Sequence, residues 1–235
     1  MLSSLTAKLT YDIFGNVDIT WLGHSCFRIR GSQAVIITDP YPPDLGYNLG
    51  KPKANIITVS HQHPDHSYIQ GIVGEPQSAA GPGDYRLVKG PGEYEISGIL
   101  IIGVAAFHDA EGGQKKGKNT VYLMDVDGIS VCHLGDLGQV LTAEQVEEIG
   151  DVDALLLPVG GISTIDAAMA AEVIRQLEPK AVIPMHYKTP ALDRELEPVE
   201  KFLKEMGIEQ IKSQPRLSLT MSSLPISTQV FLLDY

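Results

Sequence analysis

The hexad His61-Gln62-His63-Pro64-Asp65-His66 puts three imidazoles and one carboxylate into a single short turn. Ordinary packing asks for nothing of the kind, and imidazole and carboxylate suit zinc and the neighbouring first-row divalent ions. On an extended backbone, side chains two apart point the same way, so His61 and His63 can reach one ion. Pro64 favours a change of direction and fits the first turn of a helix. Asp65 and His66 then leave at a different angle and can serve a second ion beside the first. The alternative, a solvated polar turn, gives no reason for this composition.

The residues leading into the hexad place it. Ala54-Asn55-Ile56-Ile57-Thr58-Val59-Ser60 is a short, β-branched apolar run of the sort that forms a buried parallel strand. The hexad therefore sits at the carboxyl end of a strand, where open α/β sheets tend to bind ligands.

This arrangement resembles the metallo-β-lactamase superfamily, whose other motifs follow in order along the chain. They are Asp39 closing Val35-Ile36-Ile37-Thr38, His108 closing Gly103-Val104-Ala105-Ala106-Phe107, Asp136 in His133-Leu134-Gly135-Asp136, and His186 after Ala181-Val182-Ile183-Pro184-Met185. Trp21-Leu22-Gly23-His24-Ser25-Cys26-Phe27, Gly92-Glu93-Tyr94-Glu95 and Leu157-Pro158-Val159-Gly160-Gly161 resemble small bacterial proteins described only as metal-dependent hydrolases of the β-lactamase fold. The resemblance implies a four-layer αββα sandwich. It also implies one ion held by His61, His63 and His108, a second held by Asp65, His66 and His186, and Asp136 between them with a water or hydroxide. Two such cations roughly 3.5–4 Å apart lower the pKa of that water and brace the attacking and leaving oxygens. Zinc is the expected metal, although His/Asp ligation also accommodates manganese or iron.

Other residues stand near these motifs. Asp65 and His24 are the candidate catalytic groups, His24 as a proton donor to the leaving group or as a histidine tying down its own turn. Asp39 is expected to orient a ligand from behind it, Tyr187 to touch substrate, and Gly161 to let backbone approach a ligand or a neighbouring segment. His133, inside a strand, reads as structural. The segment 109–119, with three glycines and three lysines, reads either as a basic flap over the site or as a plain exposed hairpin.

Composition bounds the rest. At 235 residues the chain fits one α/β domain over 1–235. A formal charge of −11 argues against a nucleic-acid or anionic-membrane footprint. Bound cations still make the site attractive to a small anionic substrate. Cys26 and Cys132 lie in apolar segments and read as buried free thiols. The first twenty residues show neither a basic start nor a continuous apolar stretch, so a cytoplasmic protein is expected.

The pattern predicts strands through the first half, with Asp127-Gly128 as a hairpin turn. Helices follow after the capping box Thr142-Ala143-Glu144-Gln145, over Ala167 to Leu177, and over Pro198 to Met206. From Asp151 onward strand and helix alternate, ending in an expected strand at Ile208 to Lys212. The expected activity is hydrolysis of an ester-like or phosphoester bond by metal-bound hydroxide. A lactonase or amidase on the same centre, or a non-hydrolytic metal-binding relative of the fold, is the alternative.

Overall fold

The computed structural model describes residues 15–75 and 84–235. Its strands are, in chain order, β1 (Val17–Gly23), β2 (Cys26–Arg30), β3 (Val35–Thr38), β4 (Lys53–Ala54), β5 (Ile56–Val59), β6 (Val73–Gly74), β7 (Arg86–Lys89) and β8 (Gly92–Ile96). They continue with β9 (Ile99–Phe107), β10 (Lys118–Val126), β11 (Ile129–His133), β12 (Ala154–Pro158), β13 (Ala181–Met185), β14 (Leu217–Leu219) and β15 (Gln229–Val230). The α-helices among the described residues are α1 (Ala143–Ile149), α2 (Ala167–Leu177) and α3 (Val199–Glu205).

These strands form two mixed sheets. The first runs β14-β1-β2-β3-β5-β7 and the second β15-β13-β12-β11-β10-β9-β8. Their inner faces share one core, in which Ile19, Phe27, Ile29 and Ile36 from the first sheet meet Val104, Val121, Met124 and Val131 from the second. Apolar residues of α2 and α3 (Val173, Ile174, Phe202) belong to that same core. The outer face of the first sheet buries Ile37, Ile57 and Val59 under Tyr41, Leu45, Tyr47 and Ile72, which come from irregular segments and short 3₁₀ turns. This is an α/β sandwich, as expected. The central strands β5, β12 and β13 are buried at every position, which explains why they read as unbroken apolar runs.

Local signals account for most element ends. Asp127 and Gly128 both take positive φ (51° and 80°), joining β10 to β11 through the register pair Val126 and Ile129. Thr142 and Gln145 exchange side-chain and backbone hydrogen bonds at the start of α1. Asp166 accepts from the Met169 amide at the start of α2.

Two expectations fail. Ile208–Lys212 is no strand. Its apolar residues stand three apart instead of alternating, and the Ile208 amide instead bonds the Leu203 carbonyl to close α3. The place beside β13 is taken by Gln229–Val230, in parallel register. Pro64 opens a single turn, closed by the His66 amide on the His63 carbonyl at 3.0 Å, and no helix follows it.

Candidate metal centre

Every predicted ligand lies just beyond the carboxyl end of a strand. Asp39 follows β3, the hexad follows β5, His108 follows β9, Asp136 follows β11 by two residues, and His186 follows β13. β3 is parallel to β5, and β11 to β12 and β13. β9 and β11 are each antiparallel to β10 and so run the same way as one another. The second sheet thus delivers three of these residues to one rim, where they meet those from the first.

Two imidazole groups form there. The ligating atoms of His61, His63 and His108 lie within 4.8 Å of one another. His61 Nε2 and His63 Nδ1 face each other at 3.0 Å. Those of His24, His66 and His186 form a second group under the same limit. Asp136 stands between the groups. Its Oδ2 is 3.2 Å from His108 Nε2, 3.3 Å from His66 Nε2 and 3.3 Å from His186 Nε2. Asp65 Oδ2 lies 3.6 Å from His66 Nε2. His66 Nε2 is fully buried yet has no hydrogen-bond partner. An orphaned buried lone pair is costly, and a cation relieves that cost. Five imidazoles and two carboxylates pointing inward therefore fit a pair of divalent ions.

Neighbouring residues fix these side chains. The Asp39 carboxylate accepts from the Ser60 amide at 2.7 Å and from the Ser60 hydroxyl, and its Oδ2 lies 3.0 Å from His66 Nδ1. This contact turns His66 Nε2 toward Asp136. Ser25 donates its hydroxyl to Asp136 Oδ1 at 3.4 Å, and Asn119 Oδ1 accepts from the Asp136 amide at 3.1 Å. The β1–β2 hairpin tip also grips the site. The His24 carbonyl accepts from the His186 amide (3.1 Å) and from Trp21 Nε1 (2.9 Å), while His24 Nε2 lies 3.2 Å from Asp65 Oδ2. His133 Nε2 ties to the Ser25 carbonyl at 2.9 Å behind it. His24, Asp39 and His186 all take left-handed backbone (φ 54°, 35° and 51°), a strain that surrounding contacts must enforce.

The electrostatics follow from this packing. Burial alone would raise the Asp136 carboxyl, but His186 and His66 beside it hold it well below the usual range. For Asp65 burial is likewise outweighed, by the bond from His24 and the field of His66, and its carboxyl stays low. Burial opposes a charged His66, yet Asp136 and Asp39 on its two nitrogens push it well above the ordinary imidazole value. Burial, then neighbouring imidazoles, pushes both His24 and His61 down to about 3. All but His66 of these three histidines therefore offer neutral nitrogens.

Tyr187 faces elsewhere. Its ring packs at 5.0 Å on Trp21, in a buried aromatic group that includes Tyr47 and Tyr235, so packing rather than substrate contact is what its position provides. Of the paired glycines, Gly160 makes the close approach, since a Cβ there would meet the His186 carbonyl at 2.0 Å. Gly161 takes φ +56° beside the Glu197 side chain. The segment after His108 is a shaped turn. The Asp109 carboxylate accepts from the backbone amides of Glu111, Gly113, Lys115 and Lys116, and Lys116 Nζ bonds the Ile162 and Ser163 carbonyls. A cleft of about 360 Å³ opens beside the first imidazole group, lined by His61, His63, Gly90, Pro91, Lys116 and Lys118.

Sequence reasoning missed Ser25, Ser60, Asn119 and Arg194. The only signal was the polar Asn119 near the start of an otherwise apolar strand. Arg194 Nη1, from the segment joining β13 to α3, lies 2.5 Å from Asp65 Oδ2.

Fold and site together define a metallo-β-lactamase-type metal protein, and comparison with known proteins agrees. The model of the beta-lactamase superfamily domain matches residues 18–186. A UPF0173 metal-dependent hydrolase of Thermococcus onnurineus is 30% identical over 192 residues, covering 74% of this chain and 85% of the relative. One from Pyrococcus furiosus is 30% identical over 210 residues, covering 80% and 93%. A crystal structure from Thermotoga maritima, described as a proposed zinc-dependent hydrolase of the metallo-beta-lactamase superfamily, superposes with a TM-score of 0.74 at 38% identity, covering 92% of this chain and 98% of that one. The chain belongs to the beta-lactamase superfamily, in the group whose curated members are named metal-dependent hydrolases.

Proposed function

We propose that this protein is a hydrolase with two divalent ions, zinc by preference, that cleaves an ester-like or phosphoester bond in a small anionic substrate. One observation carries this reading: a single carboxylate oxygen, Asp136 Oδ2, is nearly equidistant from Nε2 atoms of both imidazole groups, 3.2 Å from His108 and 3.3 Å from His66 and His186. His61, His63 and His108 would hold one ion, Asp65, His66 and His186 the other, with Asp136 shared. When bound, such a pair supplies Lewis acidity and makes water a nucleophile near neutral pH.

The chain's own residues supply the rest. Ser25 and Asn119 fix the Asp136 carboxylate, and Asp39 fixes the His66 ring. His24, neutral because burial and His186 hold it at about 3, carries no spare proton for a leaving group. Its Nε2–H instead donates to Asp65 Oδ2. Asp65 Oδ1 then accepts the proton of the attacking water. The lysines of the cleft beside His61 and His63 favour a negatively charged substrate there.

A panel of phosphodiesters, phosphomonoesters, lactones, thioesters and amides, assayed against zinc- and manganese-loaded protein, tests the reading. At least one ester or phosphoester should turn over, with a loss of more than ~100-fold in His63→Ala and Asp136→Ala. Undiminished turnover in both variants, or hydrolysis confined to amides, contradicts it.

A further inference from the structure

The segment between β13 and α3 is fastened to the rim of the centre and carries one cation into it. Lys188 Nζ donates to the carbonyls of Leu192 at 2.5 Å and of Arg194 at 2.8 Å. The Lys188 amide bonds the Glu197 carbonyl, and the Glu197 amide bonds the Gly160 carbonyl. Leu192 is buried in the core over the first sheet, and the Thr189 hydroxyl pairs with the Tyr47 hydroxyl at 2.8 Å. The backbone at Arg194 is therefore anchored to the ligand-bearing loop, while its side chain is half exposed (51%) and ends 2.5 Å from Asp65 Oδ2.

That position needs a reason. Asp65 Oδ2 already has His24 Nε2 at 3.2 Å, so it does not need a second partner. A permanent cation beside a pair of dications is repelled by them unless an anion lies between. Only one of the five guanidinium N–H donors is engaged by a described residue. The planar fork suits two oxygens of a phosphoryl group better than a lone charge does. Lys116, the other basic group close to the centre, is already committed to the Ile162 and Ser163 carbonyls.

We propose that Arg194 is the substrate-recognition arm of the centre, gripping the phosphoryl oxygens of the substrate at the rim beside Asp65. The proposal rests on the dinuclear reading above and narrows its substrate class to phosphoryl compounds. Calorimetric titration of inorganic phosphate into zinc-loaded wild type, Arg194→Ala and Arg194→Lys tests it, with acetate as the carboxylate probe and zinc content and melting temperature read on each sample. The expected result is phosphate binding weakened at least ten-fold in Arg194→Ala, partly restored in Arg194→Lys, with zinc content and melting temperature unchanged and acetate binding weaker than phosphate throughout. Equal phosphate affinity in wild type and Arg194→Ala overturns the proposal. So does a loss of zinc in Arg194→Ala, which would make Arg194 a support for Asp65, and so does acetate binding as strongly as phosphate. A wild-type protein that fails to take up two zinc ions contradicts the dinuclear reading itself and removes this proposal with it. A loaded protein whose phosphate binding ignores Arg194 contradicts the proposal alone.

Discussion

His66 is the residue at which the site's charge is balanced. Asp39 contacts its Nδ1 and Asp136 stands 3.3 Å from its Nε2, so the folded, metal-free imidazole holds a proton well above its usual 6.5. The sign is that of a raised pKa: the stabilisation it gives the metal-free fold is complete below about 6.5 and is lost as pH rises through the folded value. A metal needs the Nε2 lone pair, so that proton must leave. His61, held at about 3, has none to give at neutral pH. Zinc binding at pH 7 should release about one proton from the histidines, read as the dependence of calorimetric heat on buffer ionisation enthalpy. Release that persists unchanged in His66→Gln would contradict this assignment. At this scale the sequence was readable where side-chain type alone marks the chemistry: six of the seven histidines stand at the rim, and His133 stands one layer behind it. Ser25, Asn119 and Arg194 were not readable, because a hydroxyl, an amide or a guanidinium gains its role only from what folding brings beside it.

At the scale of elements, strand ends do the positioning and glycines let the loops close on them. A Cβ at Gly138 would meet the His108 carbonyl carbon at 2.3 Å, and one at Gly160 would meet the His186 carbonyl oxygen at 2.0 Å. Both obstacles are backbone, so no side-chain movement can relieve them. Gly160→Ala should cost about 1–3 kcal/mol of stability by urea denaturation, and it should weaken zinc binding by displacing His186. An unchanged stability together with unchanged zinc affinity would show that the close approach is not needed. Strands with strong apolar runs, the Asp127-Gly128 turn and the Thr142 capping box could be read from the sequence because each rests on local chemistry. Gln229–Val230 could not. A two-residue strand pairs with β13 through backbone groups that any sequence offers, while Ile208–Lys212 carried β-branched residues without the alternation a strand needs.

Across the whole molecule, the centre gathers groups separated by up to 147 positions in the chain, from Asp39 to His186, at the rim shared by two sheets. A net charge of −11 would seem ill suited to an anionic substrate. The local field decides instead, because two dications outweigh Asp65, Asp136 and Asp39 around them. Ions bound to residues so far apart also bind only the folded chain, so they must stabilise it. The central claim is that two ions share Asp136. Anomalous diffraction at the zinc edge, from crystals grown with zinc, measures that directly. Two peaks roughly 3.5–4 Å apart should lie on either side of Asp136 Oδ2, one among His61, His63 and His108 and the other among Asp65, His66 and His186. A single peak, or none among those side chains, would contradict the account.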